Sequence, residues 1–407
     1  MNISTEKSVA GARSGGTPGE IFSAFLKLGV TSFGGPIAHL GYLRDELVVR
    51  RRWIDEAGYA DLVALCQFLP GPASSQVGFA LGLLRGGPFG ALAAWTGFTL
   101  PSAVLLVIFA MATTAFDGPI GAGLLHGLKV VAVAIVAQAV WGMAKTLTPD
   151  RARAGIALAA VLIVTFTVGA VGQVAAIAIG GAAGFILCPN NSLTGMAHLS
   201  FRVSPRIGIA CLVTFFLLLV GLPIVAATTG SQGINLFDSF FRSGALVFGG
   251  GHVVLPLLQT EVVGRGWMTN DVFLAGYSAA QAVPGSLFTF SAYLGAVIVP
   301  APNGILGAAI CLFAVFLPGL LLLVGALPFW DSLRQRPLAQ ATMRGANAAV
   351  VGILAAALYN PVWTSAILAP HDFALALTGF LLLAVWKAPP WVVVLGIALA
   401  GLGLSLL

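Results

Sequence analysis

Charge is what this 407-residue chain has least of: Asp, Glu, Lys and Arg together make up 8% of it, and the mean hydropathy is +0.98. A soluble globular domain carries about 25% charged residues. There is too little charge here to cover a water-facing surface, so a soluble enzyme is excluded. Cysteine is nearly as scarce. Cys66, Cys188, Cys211 and Cys311 stand singly in apolar surroundings, without the CxxC or Cys/His spacing of a metal site or disulfide framework. HExxH, GxSxG, a Walker A loop and a nucleotide fingerprint are all missing. No basic run is interleaved with aromatics, so the net charge of +6 does not point to nucleic acid. These absences leave no catalytic constellation, cofactor, metal or nucleic-acid partner to argue for. Residues 1–18 are polar and Gly/Ser-rich and lack the apolar core of a secretory signal, so they read as a disordered cytoplasmic tail.

What is present is apolar length. A helix needs roughly 20 residues, at 1.5 Å each, to cross a 30 Å hydrocarbon layer. Thirteen apolar segments fall near 19–40, 59–84, 88–115, 121–147, 154–171, 173–188, 206–228, 236–258, 273–299, 304–330, 340–362, 372–387 and 390–407. The stretch 154–188 is too long for one crossing and divides at Gly172-Gln173. The chain therefore reads as an all-α polytopic membrane protein, with the lipid bilayer as its solvent.

An internal duplication organises it. FSAFLKLGVTSFGG at 22–35 returns as FDSFFRSGALVFGG at 237–250, a spacing of 215 that Glu46/Glu261 and Arg50/Arg265 keep. Trp53/Trp267, Gln67/Gln281, Pro70/Pro284 and Gly71/Gly285 follow at 214, Pro101/Pro318 at 217 and Gly127/Gly345 at 218. Composition bias supplies stray Gly or Ala matches but not a collinear Trp, Gln, Pro, Glu and Arg series. The resulting division is a tail at 1–18, an N-terminal repeat at 19–190, a linking transmembrane segment at 191–235 and a C-terminal repeat at 236–407.

Charge then predicts topology. If the first two segments of each repeat are broken or re-entrant, every Lys and Arg except Lys27, Lys129, Arg242 and Arg265 falls on one side. Full crossings sort the charges less cleanly, and both arrangements satisfy the positive-inside rule. Either way the N-terminus is cytoplasmic and the C-terminus periplasmic. An odd number of crossings separates equivalent positions, so the repeats are expected to have inverted topology, as in many secondary transporters.

The chemistry is expected where the repeats match best. Ser32-Phe33-Gly34-Gly35-Pro36 and Leu69-Pro70-Gly71-Pro72-Ala73-Ser74-Ser75-Gln76 correspond to Phe248-Gly249-Gly250-Gly251-His252 and Val283-Pro284-Gly285-Ser286. Gly and Pro interrupt a helix, and broken helices at membrane depth are tolerated only when buried in protein or lining a polar cavity. A helix restarting after the break offers free N–H groups and a positive dipole end, suited to an anion. Ser32, Gly34, Gly35, Gln67, Gly71, Ser74, Ser75 and Gln76, with Gly249, Gly250, Gln281, Gly285 and Ser286, are the resulting binding candidates. Structural kinks with close helix packing are the plainer reading of any one break, and its recurrence in both repeats favours a transport site.

Lys27 and Arg242 stand at equivalent positions inside apolar segments, where charge is costly, and join the candidates as cations that draw in a dianion. Snorkelling, or pairing with Glu20 or Asp238, is the alternative. The mixed-charge stretch from Arg44 through Glu46, Arg50 and Trp53 reads either as a gate held by ion pairs or as a plain cytoplasmic anchor. His39, His252, Glu46 and its counterpart Glu261 are candidates for proton coupling.

Residues 25–101, with FLKLGVTSFGGPIAHLGYLRDELVVRRRWIDEAGYADLVALCQFLPGPASSQVG and then WTGFTLPSA, resemble the chromate ion transporter superfamily, specifically its long-chain, two-domain members. VFGGGHVVLPLLQ and GYSAAQAVPGSLFTFSAYLG resemble the second-domain form. The resemblance extends over about residues 20–365. It implies an inner-membrane efflux carrier for chromate, driven by the proton motive force and conferring chromate resistance, with sulfate as a competing mimic and protons as the coupling ion. It also implies that Ser32 to His39, Arg44 to Trp53, Gln67 to Gln76 and Gly249 to His252 carry function. Nothing in periodicity or spacing identifies chromium. The second copy lacks the Arg triplet and the second proline of Pro-Gly-Pro, so the halves are not expected to bind equally. A sulfate carrier, a passive anion channel and a membrane-embedded enzyme or scaffold stay open as rivals, and a homodimer is one assembly this class permits.

Overall fold

A computed structural model describes residues 15–113, 119–167, 169–188, 203–334 and 336–405, and every regular element among them is helical. In the first half these are α1 (Pro18–Thr31), α2 (Gly35–Arg44), α3 (Glu56–Phe68), α4 (Ala73–Thr113), α5 (Pro119–Leu147), α6 (Arg151–Phe166) and α7 (Ala170–Leu187). The linking α8 (Pro205–Thr229) leads to α9 (Gln232–Ala245), α10 (Val254–Val262), α11 (Asn270–Ala282), α12 (Phe290–Val297) and α13 (Gly304–Ala326). After α13 come α14 (Trp330–Arg334), α15 (Pro337–Ala357), α16 (Thr364–Ala366), α17 (Pro370–Ala384) and α18 (Pro390–Ser405). Six helical stretches among the described residues are long and apolar enough to cross a membrane, beginning at Ala73, Gly121, Ala170, Pro205, Gly304 and Pro337. The chain is a multi-pass membrane protein.

The expected interruptions are real helix ends. The segment predicted at 19–40 is two helices separated at Ser32–Gly34, and 236–258 breaks at Leu246–Gly250 before a short 3-10 turn. The segments at 59–84 and 273–299 break at Leu69–Pro72 and Val283–Ser286. α4 is itself folded back at Gly86–Gly87, where both residues leave helical geometry, giving a short limb at 73–85 and a long limb at 88–113.

Two expectations need correction. α6 ends at Phe166 and α7 begins at Ala170, ahead of the expected division at Gly172-Gln173, and Gly169 at the start of α7 takes a left-handed φ of 79°. The tail does not run to residue 18. Gly15 and Gly16 donate backbone N–H groups to the Arg85 carbonyl, and the Thr17 side chain caps α1. Residues 1–14 of that tail, and residues 114–118 and 189–202, lie outside the described residues. Asp150 caps α6 by accepting from the Arg153 N–H at 2.9 Å, and Asp372 accepts the N–H groups of Leu368 and Ala369 at 3.0 Å.

Glycine brings the duplicated helices together in the same way in both halves. Gly29 packs α1 onto the long limb of α4 at Gly97 and Phe98, and its counterpart Gly244 packs α9 onto α13 at Val315. Further along, the halves cross over. α7 lies on α15, with Gly180 and Gly184 against Gly345, and α18 lies on α5, with Ala398 and Gly401 against Gly127. Small residues let membrane helices approach closely, where lipid offers no hydrophobic drive for association. A Cβ at Gly345 would overlap the Gly180 carbonyl oxygen, and one at Gly127 would sit 2.8 Å from the Ala398 backbone. Overpacking of this kind costs about 1–3 kcal/mol or more. Gly345→Leu is therefore expected to give little monodisperse protein on size exclusion in detergent. Gly396→Leu, which meets open space on α18, should behave as wild type; equal yields from both would refute the crossed packing.

Candidate functional site

The four helix breaks meet between the halves. Gly71 donates its N–H to the Val247 carbonyl at 2.7 Å, and Gly285 donates to the Ser32 carbonyl at 2.8 Å. These bonds are the same bond made twice, since Gly71 matches Gly285 and Ser32 matches Val247 in the duplication. Gly71 has φ 120° and Gly285 φ 101°, a region open to glycine alone among common residues. Gly34, Gly35, Gly249 and Gly250 are likewise left-handed, at 98°, 80°, 72° and 148°. Each break exists because its sequence carries the residue that can turn there.

Two adjoining cavities lie at this meeting point. One is lined by Gly34, Gly35, His39, His252, Gln281, Gly285 and neighbouring apolar residues. The other is lined by His39, Pro72, Ser74, Gly250, Ser286 and Phe288, so His39 borders both. α2 starts at Gly35, α4 at Ala73, and the 3-10 turns leading into α10 and α12 start at Gly251 and Leu287. All four of these starts contribute lining residues. Among the described residues, the cavities are thus bordered by N-terminal backbone donors, two serines, a glutamine and two histidines, and by no Lys or Arg. Around them Ser32 Oγ, Ser75 Oγ and Gln76 Oε1 are buried without a hydrogen-bond partner among the described residues. Buried polar atoms are nearly always satisfied, so these three mark a place for water or a polar ligand. The other end of Gln76 is committed: its Nε2 donates to the carbonyls of Pro70 at 3.0 Å and Gly319 at 2.9 Å.

The remaining candidates form two separate ion clusters. Lys27 Nζ reaches Glu46 at 2.9 Å, and Arg50 and Arg51 reach the same carboxylate at 3.2 and 2.8 Å. Burial pushes the Glu46 carboxyl up, but hydrogen bonds from Lys27 and Arg51 outweigh it and hold it at about 2. Glu46 therefore stays ionised at physiological pH in this conformation and carries no exchangeable proton. In the second half Arg242 bridges Asp238 at 2.8 Å and Glu261 at 3.2 Å, and Arg265 adds 2.9 Å to Glu261. Lys27 and Arg242 are not among the described residues lining the cavities, and each is held in these pairs. Arg44 bonds Glu56, and Trp53 is buried under the guanidinium groups of Arg51 and Arg85, at 5.7 and 5.5 Å from its ring. Gln67 faces outward on α3, away from its counterpart Gln281 in the cavity wall.

A comparison with known proteins matches both halves of the duplication. The family described as chromate transporter matches residues 19–185 and again 234–402. The chain belongs to the chromate transporter family. A chromate transport protein of Pseudomonas aeruginosa is 29% identical, over 94% of this chain and 91% of its own length. A probable chromate transport protein of Synechococcus elongatus is 30% identical over 89% and 88%, and an uncharacterized transporter of Methanocaldococcus jannaschii is 24% identical over 88% and 87%. No solved structure gives a significant match.

In this chromate transporter family member, sequence reasoning missed several residues of the site. His252 Nδ1 lies 2.8 Å from the Tyr277 hydroxyl, and the Phe98 ring stands edge-on to His39 at 5.6 Å. Tyr277 precedes Gln281 by one helical turn, so it shares that face of α11, and this spacing was the available signal. Phe98 belongs to the WTGFTLPSA motif but had no partner named in the sequence. Lys129, expected inside a segment, pairs with Asp271 across the halves at 3.0 Å.

Proposed function

We propose that this chain is a secondary transporter exporting chromate from the cytoplasm across the inner membrane in exchange for protons, with sulfate as a weaker competitor. The observation that carries the reading is the pair of cavities bordered by four helix starts, two serines, a glutamine and two histidines. Such a site meets a dianion with backbone N–H groups and neutral side chains, without a metal. The names of the Pseudomonas and Synechococcus relatives supply the substrate. Outward movement of a dianion is favoured by an inside-negative potential, at about 2.3 kcal/mol per charge per 100 mV.

Inverted repeats fit the same reading. Trp95, early in the long limb of α4, lies against Phe316 of α13 with ring centroids 5.6 Å apart, whereas Ala103, later in α4, clusters with Ala308, earlier in α13. The long limb of α4 and its counterpart α13 thus run in opposite directions past each other, a relation expected of an alternating-access carrier with its site at the repeat interface. His39 and His252, on the cavity walls, are the residues we assign to proton coupling; the ion clusters around Glu46 and Glu261 serve as fixed ends.

Chromate flux into and out of proteoliposomes, with and without an imposed pH gradient, tests the reading. Flux that follows the gradient and is reduced by excess sulfate is expected. Flux indifferent to collapse of the proton gradient would make the protein a channel, and a strong preference for sulfate would make it a sulfate carrier.

A further inference from the structure

Away from the central cavities, a cleft opens where α6, the end of α7 and α15 come together. Among the described residues, Arg151, Arg153 and Arg344 line it with a single carboxylate, Asp150. Asp150 is engaged by Arg153 at 2.6 Å and by its capping duty, and Arg344 reaches the Cys188 carbonyl at 3.1 Å. Three guanidinium groups against one carboxylate leave the cleft with net positive charge. A groove continues from it between α6 and α7, sharing Arg151, Ala152 and Leu187 with the cleft. Its walls include Ile156, Ala160, Ile163, Ile179 and Ala183, and it contains no charged residue beyond Arg151. Gly155 leaves its floor open, because a Cβ there would meet nothing within 4 Å.

A cationic mouth joined to an apolar trough has the shape of one kind of ligand. The geometry points to a bound anionic phospholipid, with its phosphodiester on Arg151, Arg153 and Arg344 and an acyl chain along the α6–α7 groove. Basic pockets between membrane helices on the cytoplasmic side suit such headgroups, and Arg is fitted to bidentate phosphate recognition. The duplication argues that the arginines are not demanded by the fold. Arg344 matches His126 at the same spacing of 218 that relates Gly345 to Gly127. His126 is closed against Asp372 at 2.7 Å, so the arginine of this cleft is not repeated at the equivalent place. The charge assignment from sequence puts the cleft on the cytoplasmic side.

The test uses the full chain, with phosphatidylglycerol, phosphatidylcholine of the same acyl chains, and inorganic phosphate as probes, and native mass spectrometry as the readout. Phosphatidylglycerol is expected to be retained at least about tenfold over phosphatidylcholine and to resist displacement by phosphate. The preference is expected to vanish in the triple variant Arg151→Gln, Arg153→Gln, Arg344→Gln. Arg151→Gln alone, at an exposed position, should reduce it severalfold and stands in if the triple variant fails to fold. Gly155→Leu should weaken phosphatidylglycerol retention about tenfold while leaving the melting temperature in lipid-free detergent unchanged. No headgroup preference in the wild type, a preference that survives Arg151→Gln and Gly155→Leu, or equal displacement by phosphate would each overturn the assignment.

Discussion

Gly71→Val and Gly285→Val are each expected to stop chromate flux in a protein that still reaches the membrane. Both positions hold a φ that a β-branched residue does not adopt, and forcing one there costs about 1–3 kcal/mol. The new side chain also has no room. A Cβ at Gly71 would meet Gln76 Nε2 and the Gly319 Cα at 3.0 Å, and one at Gly285 would meet Ser102 Oγ at 2.9 Å. The backbone then has to move, and the N–H bond to the opposite half, worth about 1 kcal/mol net, is lost with it. A combined shift of about 2–4 kcal/mol is roughly 30- to 700-fold in the population of the assembled site. Proteoliposome flux at matched protein density measures this directly. Gly41→Ala, which meets open space on α2, is the control. Flux within twofold of wild type in either valine variant would mean that the cross-half bonds are incidental.

The two equivalent cations should behave very differently when removed. Arg242→Met is expected to destabilise the protein by about 3–5 kcal/mol, the usual cost of leaving a buried charge unpaired. Asp238, 3% exposed, would lose its cation, although Glu261 would keep Arg265. Lys27→Met should cost under about 1 kcal/mol, because the Lys27 side chain is 48% exposed and Glu46 would retain Arg50 and Arg51. Adding Asp238→Asn to Arg242→Met should restore most of the loss. Unfolding in detergent reads all three. Equal destabilisation by the two single variants would refute the account.

How far the sequence could be read depended on whether the signal was local. Gly34-Gly35, Pro70-Gly71-Pro72, Gly249-Gly250 and Pro284-Gly285 announce helix ends by their own backbone chemistry, and their recurrence near 215 residues apart marked the site. Nine of the expected residues, among them His39, Ser74, His252 and Gln281, do line the two cavities. Lys27 and Arg242 were harder, because a charge in an apolar segment declares its cost but not its partner. Their carboxylates, Glu46 and Glu261, both lie nineteen positions downstream, and that constant interval was a usable signal. Of the near neighbours, Asp238 does bind Arg242, whereas Glu20 is taken by Arg85 at 3.5 Å. The contact of α7 with α15 left no trace, since a glycine face identifies close packing without naming what packs on it.

That crossed contact has a meaning in the order of synthesis. α7 leaves the ribosome with Gly180 and Gly184 facing lipid, and the surface that will cover them is centred on Gly345, some 160 residues downstream. α5 waits longer still for α18, which holds Ala398 and Gly401. The first half therefore cannot finish folding when its own chain is complete. It must stay open in the bilayer until the second half arrives, and α18 is the helix that closes α5.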